Sequence, residues 1–161
     1  MKIYISYFYK VRFFKENMFG VSTAKWDPRW FHNFNGENFR YIDKNGVLNG
    51  LRAPILVLPD ELAGEIDCCK PCPHEPPHCR FMTAYRKYLN SLDFDDIYNR
   101  LDDLGHRAAA VLAVDDPIVI LLVHEPTSCK CAERPVLQQW FAEHGVELKE
   151  WESEYIKEME K

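Results

Sequence analysis

The chain of 161 residues and 19.0 kDa is long enough for one domain with an ordinary core, since a chain of this length buries roughly 70% of its unfolded surface. With 47% hydrophobic and 28% charged residues and a net charge of −5, the composition excludes a collagen, a coiled coil and a disordered chain. No apolar run approaches the ~20 residues of a membrane span, and the opening MKIYISYFYK lacks the apolar stretch and cleavage site of a signal peptide. A cytoplasmic protein without a membrane partner is therefore expected.

The mean charge hides an asymmetry. Residues 1–52 carry nine Lys and Arg against four Asp and Glu, whereas the remainder has a net charge of −10. Of the 22 aromatic residues, 13 fall in the same first third. A basic, aromatic segment suggests a face for an anionic or planar ligand; the alternative is that the rings are core and the charges scattered.

Lys2 to Phe8, β-branched and aromatic, reads as a strand, and Phe19 to Ser22 as a second. The Asp27-Pro28 pair predicts a turn with one helical turn behind it. Asn33 to Asn49 contains Asn35-Gly36 and Asn45-Gly46, with Asn49-Gly50 at its end, which is loop or hairpin chemistry. Ala53 to Pro59, apolar and bounded by prolines, reads as a short buried strand. A Cys/His/Pro-rich loop covers 67–79.

From Arg80 the period becomes helical, with Phe81, Tyr85, Tyr88, Leu89 and Leu92 on one face. Asp93 or Asp95 caps a second stretch bearing Ile97, Leu101 and Leu104, with Gly105 as a candidate interruption before Ala108 to Ala113. Pro117 to His124 is the strongest strand pattern, apolar on both faces as a central parallel strand should be. A loop over 125–133 leads to a helix bearing Val136, Leu137, Trp140 and Phe141. Gly145 ends it, Val146 to Trp151 reads as a last strand, and 152–161 is an acidic tail. Strands alternating with helices predict a single α/β domain with a mostly parallel sheet flanked by helices.

Six cysteines are too few for a disulfide scaffold, but their placement is informative. Cys68, Cys69, Cys72, His74, His78 and Cys79 share a loop stiffened by four prolines. Cys69-Lys-Pro-Cys72 is a knuckle whose turn brings two thiolates to one tetrahedral ion. Cys79 or His78 would supply a third ligand and Cys129 or Cys131 a fourth; the set Cys69, Cys72, Cys79 and Cys131 predicts a structural zinc site. Disulfides, redox thiols and unrelated thiols are the alternatives.

The loop after the strongest strand should lie at the carboxyl edge of the sheet, where α/β proteins bind ligands. Arg134, near a helix N-terminus, suits a phosphate or carboxylate, or else forms a salt bridge with Glu133, Glu125 or an acidic helix. A cysteine-phosphatase loop does not fit, because it needs five residues between Cys and Arg. Cys129 and Cys131 leave four and two.

Several pieces stand in a telling order. They are the opening Met1-Lys-Ile-Tyr-Ile-Ser-Tyr-Phe, then Val21-Ser22 with Lys25-Trp26 and Trp30-Phe31, then a helix with Phe81 and Tyr85 ending near Leu92-Asp93-Phe94. Last come a strand, a Cys-containing loop, Arg134, a helix with Trp140 and a strand from Val146. In this order they resemble the domain of unknown function 488 family over nearly the whole chain. The resemblance implies a small Rossmann-like α/β fold and little biochemistry. Family members often carry Cys-His-Arg at the start of the last helix. Here Ala132-Glu133-Arg134 matches only in the Arg, with Cys129 and Cys131 nearby.

The expected function is binding of a small anionic ligand or nucleotide at the strand carboxyl edge, with transferase or hydrolase chemistry. Ser6, Tyr7, Ser22, Lys25, Trp26 and Arg134 would line the pocket, and Glu133 or Glu125 would act as acid or base beside Arg134. The alternative is a non-catalytic nucleic-acid-binding or protein-interaction module built on the basic, aromatic first third. The negative overall charge opposes that alternative.

Overall fold

The computed structural model describes residues 1–31, 41–63, 79–125, 127 and 132–152. The described strands are β1 (Lys2–Tyr7), β2 (Met18–Ser22), β3 (Tyr41–Ile42), β4 (Leu48–Asn49), β5 (Leu51–Arg52), β6 (Ile118–Val123) and β7 (Lys149–Glu150). The described helices are α1 (Asp60–Ala63), α2 (Arg80–Asn90), α3 (Phe94–Leu112) and α4 (Glu133–Glu143), with short 3-10 turns at Phe8–Phe13, Arg29–Phe31 and Pro54–Leu56.

Among the described residues five strands form one sheet in the order β5-β2-β6-β1-β7, and every pairing in it is parallel. β6 is the middle strand, as its all-apolar sequence requires. One of its faces, Val119, Leu121 and Val123, packs with Ile3, Ile5, Phe19 and Val21 under α2, α3 and α4. The other, Ile120 and Leu122, packs with Phe8, Val11, Phe14, Phe31, Val47 and Trp151. β3 and β4 form a separate antiparallel hairpin over the Asn45-Gly46 turn.

Several boundaries differ from the sequence pattern for identifiable reasons. The apolar run from Ala53 is not a strand. Pro54 has no N–H for a ladder, and Leu56 N–H bonds back to the Ala53 carbonyl at 3.0 Å, so the pairing ends at Arg52 and the chain turns. That turn is fastened by α2: the Tyr85 hydroxyl donates to the Leu56 carbonyl at 2.5 Å and the Tyr88 hydroxyl to Ile55 at 2.7 Å. The last strand is shorter than Val146 to Trp151, with only Lys149 and Glu150 in the ladder. Asp93 is the cap chosen over Asp95, its carboxylate accepting from Asp96 N–H at 3.2 Å. The Cys69, Cys72 and Cys131 ligands and the tail from 153 lie outside the described residues.

Gly105 does not interrupt α3. It lets the helix lie close to β6, since a Cβ there would stand 2.8 Å from Val119 Cγ2. Val119 is buried and β-branched, so it cannot easily move aside. Gly105→Ala should therefore destabilise the fold by about 1–2 kcal/mol in urea unfolding, although alanine is the better helix former. A neutral or stabilising result would show that the helix and strand are less tightly seated.

Candidate functional site

The chain leaves two neighbouring strands toward opposite faces of the sheet. The segment leaving β1 packs Phe8, Val11 and Phe14 on one sheet face, whereas the segment leaving β6 enters α4, which packs Val136, Leu137 and Phe141 on the other. β1 and β6 are neighbours with Tyr7 opposite Val123. Their exits diverge to opposite faces at the carboxyl edge, the topological position at which α/β sheets bind ligands.

Arg134, in the first turn of α4, sits at that edge. Its side chain is only 6% exposed, and its Nε donates to Glu150 Oε2 at 2.7 Å while Nη2 reaches Oε1 at 3.5 Å. Glu150 is placed there by the pairing of β7 with β1, which sets it beside Ile5. Nη1 is buried without a hydrogen-bond partner among the described residues. The guanidinium carbon lies 5.7 Å from the Tyr7 ring centre, and Lys10 Nζ lies 5.5 Å from the same ring. Lys10, from the 3-10 turn after β1, is itself buried. Burial raises the Glu150 carboxyl above its ordinary range, and the charges of Arg134 and Lys10 pull it back without cancelling the shift.

The second component is a pair of carboxyl groups. Glu133, the first residue of α4, is hydrogen-bonded through its side chain to Glu125 in the loop after β6. Two carboxylates cannot share a hydrogen bond unless one holds a proton. Desolvation and the charge of Glu125 push Glu133 from 4.5 up to about 8, so Glu133 holds it at neutral pH. Glu125 Oε2 and Glu133 Oε2 are both buried without a hydrogen-bond partner among the described residues. Burial also pushes the Tyr85 hydroxyl far above its usual range, with Glu133 adding to the effect.

The residues singled out from sequence separate into three groups. Arg134, Glu133, Glu125 and Tyr7 come together at the ends of β1 and β6. Ser22, Lys25 and Trp26 lie along the same edge at the end of β2. There the Ser22 hydroxyl donates to Asp27, and Lys25 Nζ pairs with Asp60 at 2.5 Å. Ser6 is fully buried and its hydroxyl faces the Trp151 carbonyl at 3.4 Å. Cys79 is buried in the apolar core directly before α2. Among the described residues no group of three His, Cys, Asp or Glu side chains is arranged to hold a metal ion. Sequence reasoning missed Lys10 and Glu150. Their only sequence signal is a charge beside the end of a strand, which most surface residues share.

No family model matches the chain, and neither a curated protein nor a solved structure matches it. The geometry is therefore the basis for a functional reading. Two surface hollows lie elsewhere, one by Lys2, Tyr4 and Tyr98 at the amino ends of the strands, the other by Ile55, Ile97 and Leu101; neither is lined by Arg134 or Glu133. No helix among the described residues is long and apolar enough to cross a membrane.

The carboxyl pair has a consequence for stability. The folded form holds the Glu133 proton up to about pH 8, whereas an unfolded glutamic acid releases it near 4.5. Between those limits folding takes up a proton, so stability is greatest at the acid end and is lost as pH rises. Glu150 acts in the same direction. The melting temperature should fall from about pH 5 to about pH 9, and Glu133→Gln should flatten that slope. An unchanged slope in the variant would remove Glu133 as its source.

Proposed function

We propose that the chain binds a small anionic ligand, with a phosphate or phosphate-like group, at the carboxyl ends of β1 and β6. The reading rests on one observation above all: Arg134 is buried at that edge with its Nη1 donors unmatched among the described residues, beside a second buried cation, Lys10. A buried guanidinium group with open donors is costly, and an oxyanion satisfies it with charge-assisted bonds. Glu150 holds the Nε side of the fork and fixes its orientation.

The chemistry this equips is hydrolysis or group transfer at a phosphate-like substrate. Glu133, protonated at neutral pH, is the general acid, and Glu125 beside it is the candidate base. The ordered motifs resembling the domain of unknown function 488 family belong to the same reading, since Arg134 is the position that matches. Structural zinc belongs to it as well, on the spacing of Cys69 and Cys72 with Cys79 and Cys131; metal analysis of untagged protein should find close to one equivalent. Well under half an equivalent would end the zinc reading.

The anion reading is tested by melting the protein with inorganic phosphate and with nucleoside monophosphates. A ligand at about a hundred times its dissociation constant should stabilise the fold by about 2.7 kcal/mol. Arg134→Lys, which keeps the charge but loses the fork, should abolish most of that gain. Lys10→Met should weaken it. If neither ligand raises the melting temperature of the parent protein, the reading is wrong.

A further inference from the structure

A second surface lies along the same edge, at the ends of β1 and β2. It contains the most exposed tryptophan of the described residues, Trp26, at 74%, with Trp30 at 42%. A tryptophan turned to solvent on a loose loop would mean little. The loop under Trp26 is instead fastened from below. The Asp27 side chain is 2% exposed and stands 3.2 Å from Arg52 Nε, and it accepts from the Ser22 hydroxyl. The Ser22 oxygen in turn accepts from Ala24 N–H at 3.2 Å. Arg52 Nη2 donates to the Ala24 carbonyl at 3.1 Å, and His124 Nε2 donates to the Trp26 carbonyl. The backbone on both sides of Trp26 is thus held by side-chain partners from distant segments, while its ring is left in water.

Trp30 is presented in a related way. It meets Phe8 and Phe31 at 86° and 87°, edge-to-face contacts at centroid separations of 6.3 and 5.9 Å. Phe8 also touches the His124 ring at 4.8 Å, so one buried phenylalanine links the supports of both tryptophans. Cations flank the rings. Lys25 Nζ lies 5.7 Å from the Trp26 ring centre, Arg29 is exposed one residue before Trp30, and Arg12 lies 3.8 Å over the Tyr9 ring. Lys25 also meets Asp60, but both side chains are more than half exposed, so that pair is weak and exchangeable.

From this juxtaposition we propose that Trp26 and Trp30, with Lys25 and Arg29, form a binding surface for single-stranded nucleic acid. Bases stack on the tryptophan rings and the cations hold the backbone phosphates. A single strand fits where a duplex does not, because base faces are available only when unstacked. The described part of this surface is turns and strand ends, with no long helix to enter a groove. The charge distribution agrees: residues 1–52 are net +5 in a chain of net −5. A fixed loop lowers the ordering cost of binding. The proposal stands apart from the anion site, because Arg134 takes no part in it.

The test is fluorescence anisotropy of the full chain with labelled oligo(dT) and oligo(U) of about a dozen nucleotides, at low and moderate salt. Binding should weaken with salt. Trp26→Ala should weaken it roughly tenfold, and Trp26→Leu, which keeps apolar bulk without the ring, should do the same. Arg29→Ala should reduce the salt slope. All three should keep the parent melting temperature, and Arg134→Lys should keep the parent oligonucleotide affinity. The proposal is overturned if the parent chain shows no binding at low salt, or if Trp26→Ala binds as well as the parent. It is equally overturned if, in the Arg134→Lys chain, a mononucleotide displaces the labelled oligomer as effectively as unlabelled oligomer does, or if anionic vesicles compete on equal terms.

Discussion

β6 has six residues, none with a polar side chain, and lies between β1 and β2 in the sheet. Such a strand is stable only if both of its faces are covered. The two coverings are made by different stretches of chain, helices on one side and 3-10 turns with aromatic loops on the other. Right-handed connections that run in opposite directions across a parallel sheet must use opposite faces. The need to bury β6 twice therefore forces the exits of β1 and β6 apart, and the position of Arg134 at that edge follows from the divergence.

Polar groups at this edge are held there at a cost the core offsets. A buried arginine needs a carboxylate, and β7 supplies Glu150 through only two ladder residues. Glu133 and Glu125 have no cation bonded directly to them among the described residues; a shared proton is how they tolerate burial. The two solutions differ in what they leave available. The Arg134–Glu150 pair fixes an orientation, whereas the carboxyl pair keeps a proton close to that edge at neutral pH.

The edge on the β2 side follows another rule. The Asp27 side chain is buried under a loop, paired with the half-buried Arg52, and the two shape that loop while the ring above them is exposed. Polar groups inside and an aromatic group outside reverse the usual arrangement. Such a reversal is stable only when each buried polar group has a partner, as Asp27 has in Ser22 and Arg52.

Much of the fold was legible in the sequence. The apolar run Pro117 to His124 marked the central strand, Asp93 or Asp95 the start of α3, and the stripe of Val136, Leu137, Trp140 and Phe141 the buried face of α4. Those signals are local, since periodicity and capping act within a few residues. Arg134 was legible as a candidate because it begins a helix just after a strand. Its partner was not. Glu150 lies 16 residues away and meets it only because β7 pairs with β1. Likewise the strand expected from Ala53 gave way to a turn that Tyr85 and Tyr88 hold from another helix. The sequence by itself determined the central strand and the three long helices, and that a cation and acids stand near a strand end. Tertiary structure alone decided which acid pairs with that cation, which pair shares a proton and which tryptophans face water, because each depends on strand register and packing between segments far apart in the chain.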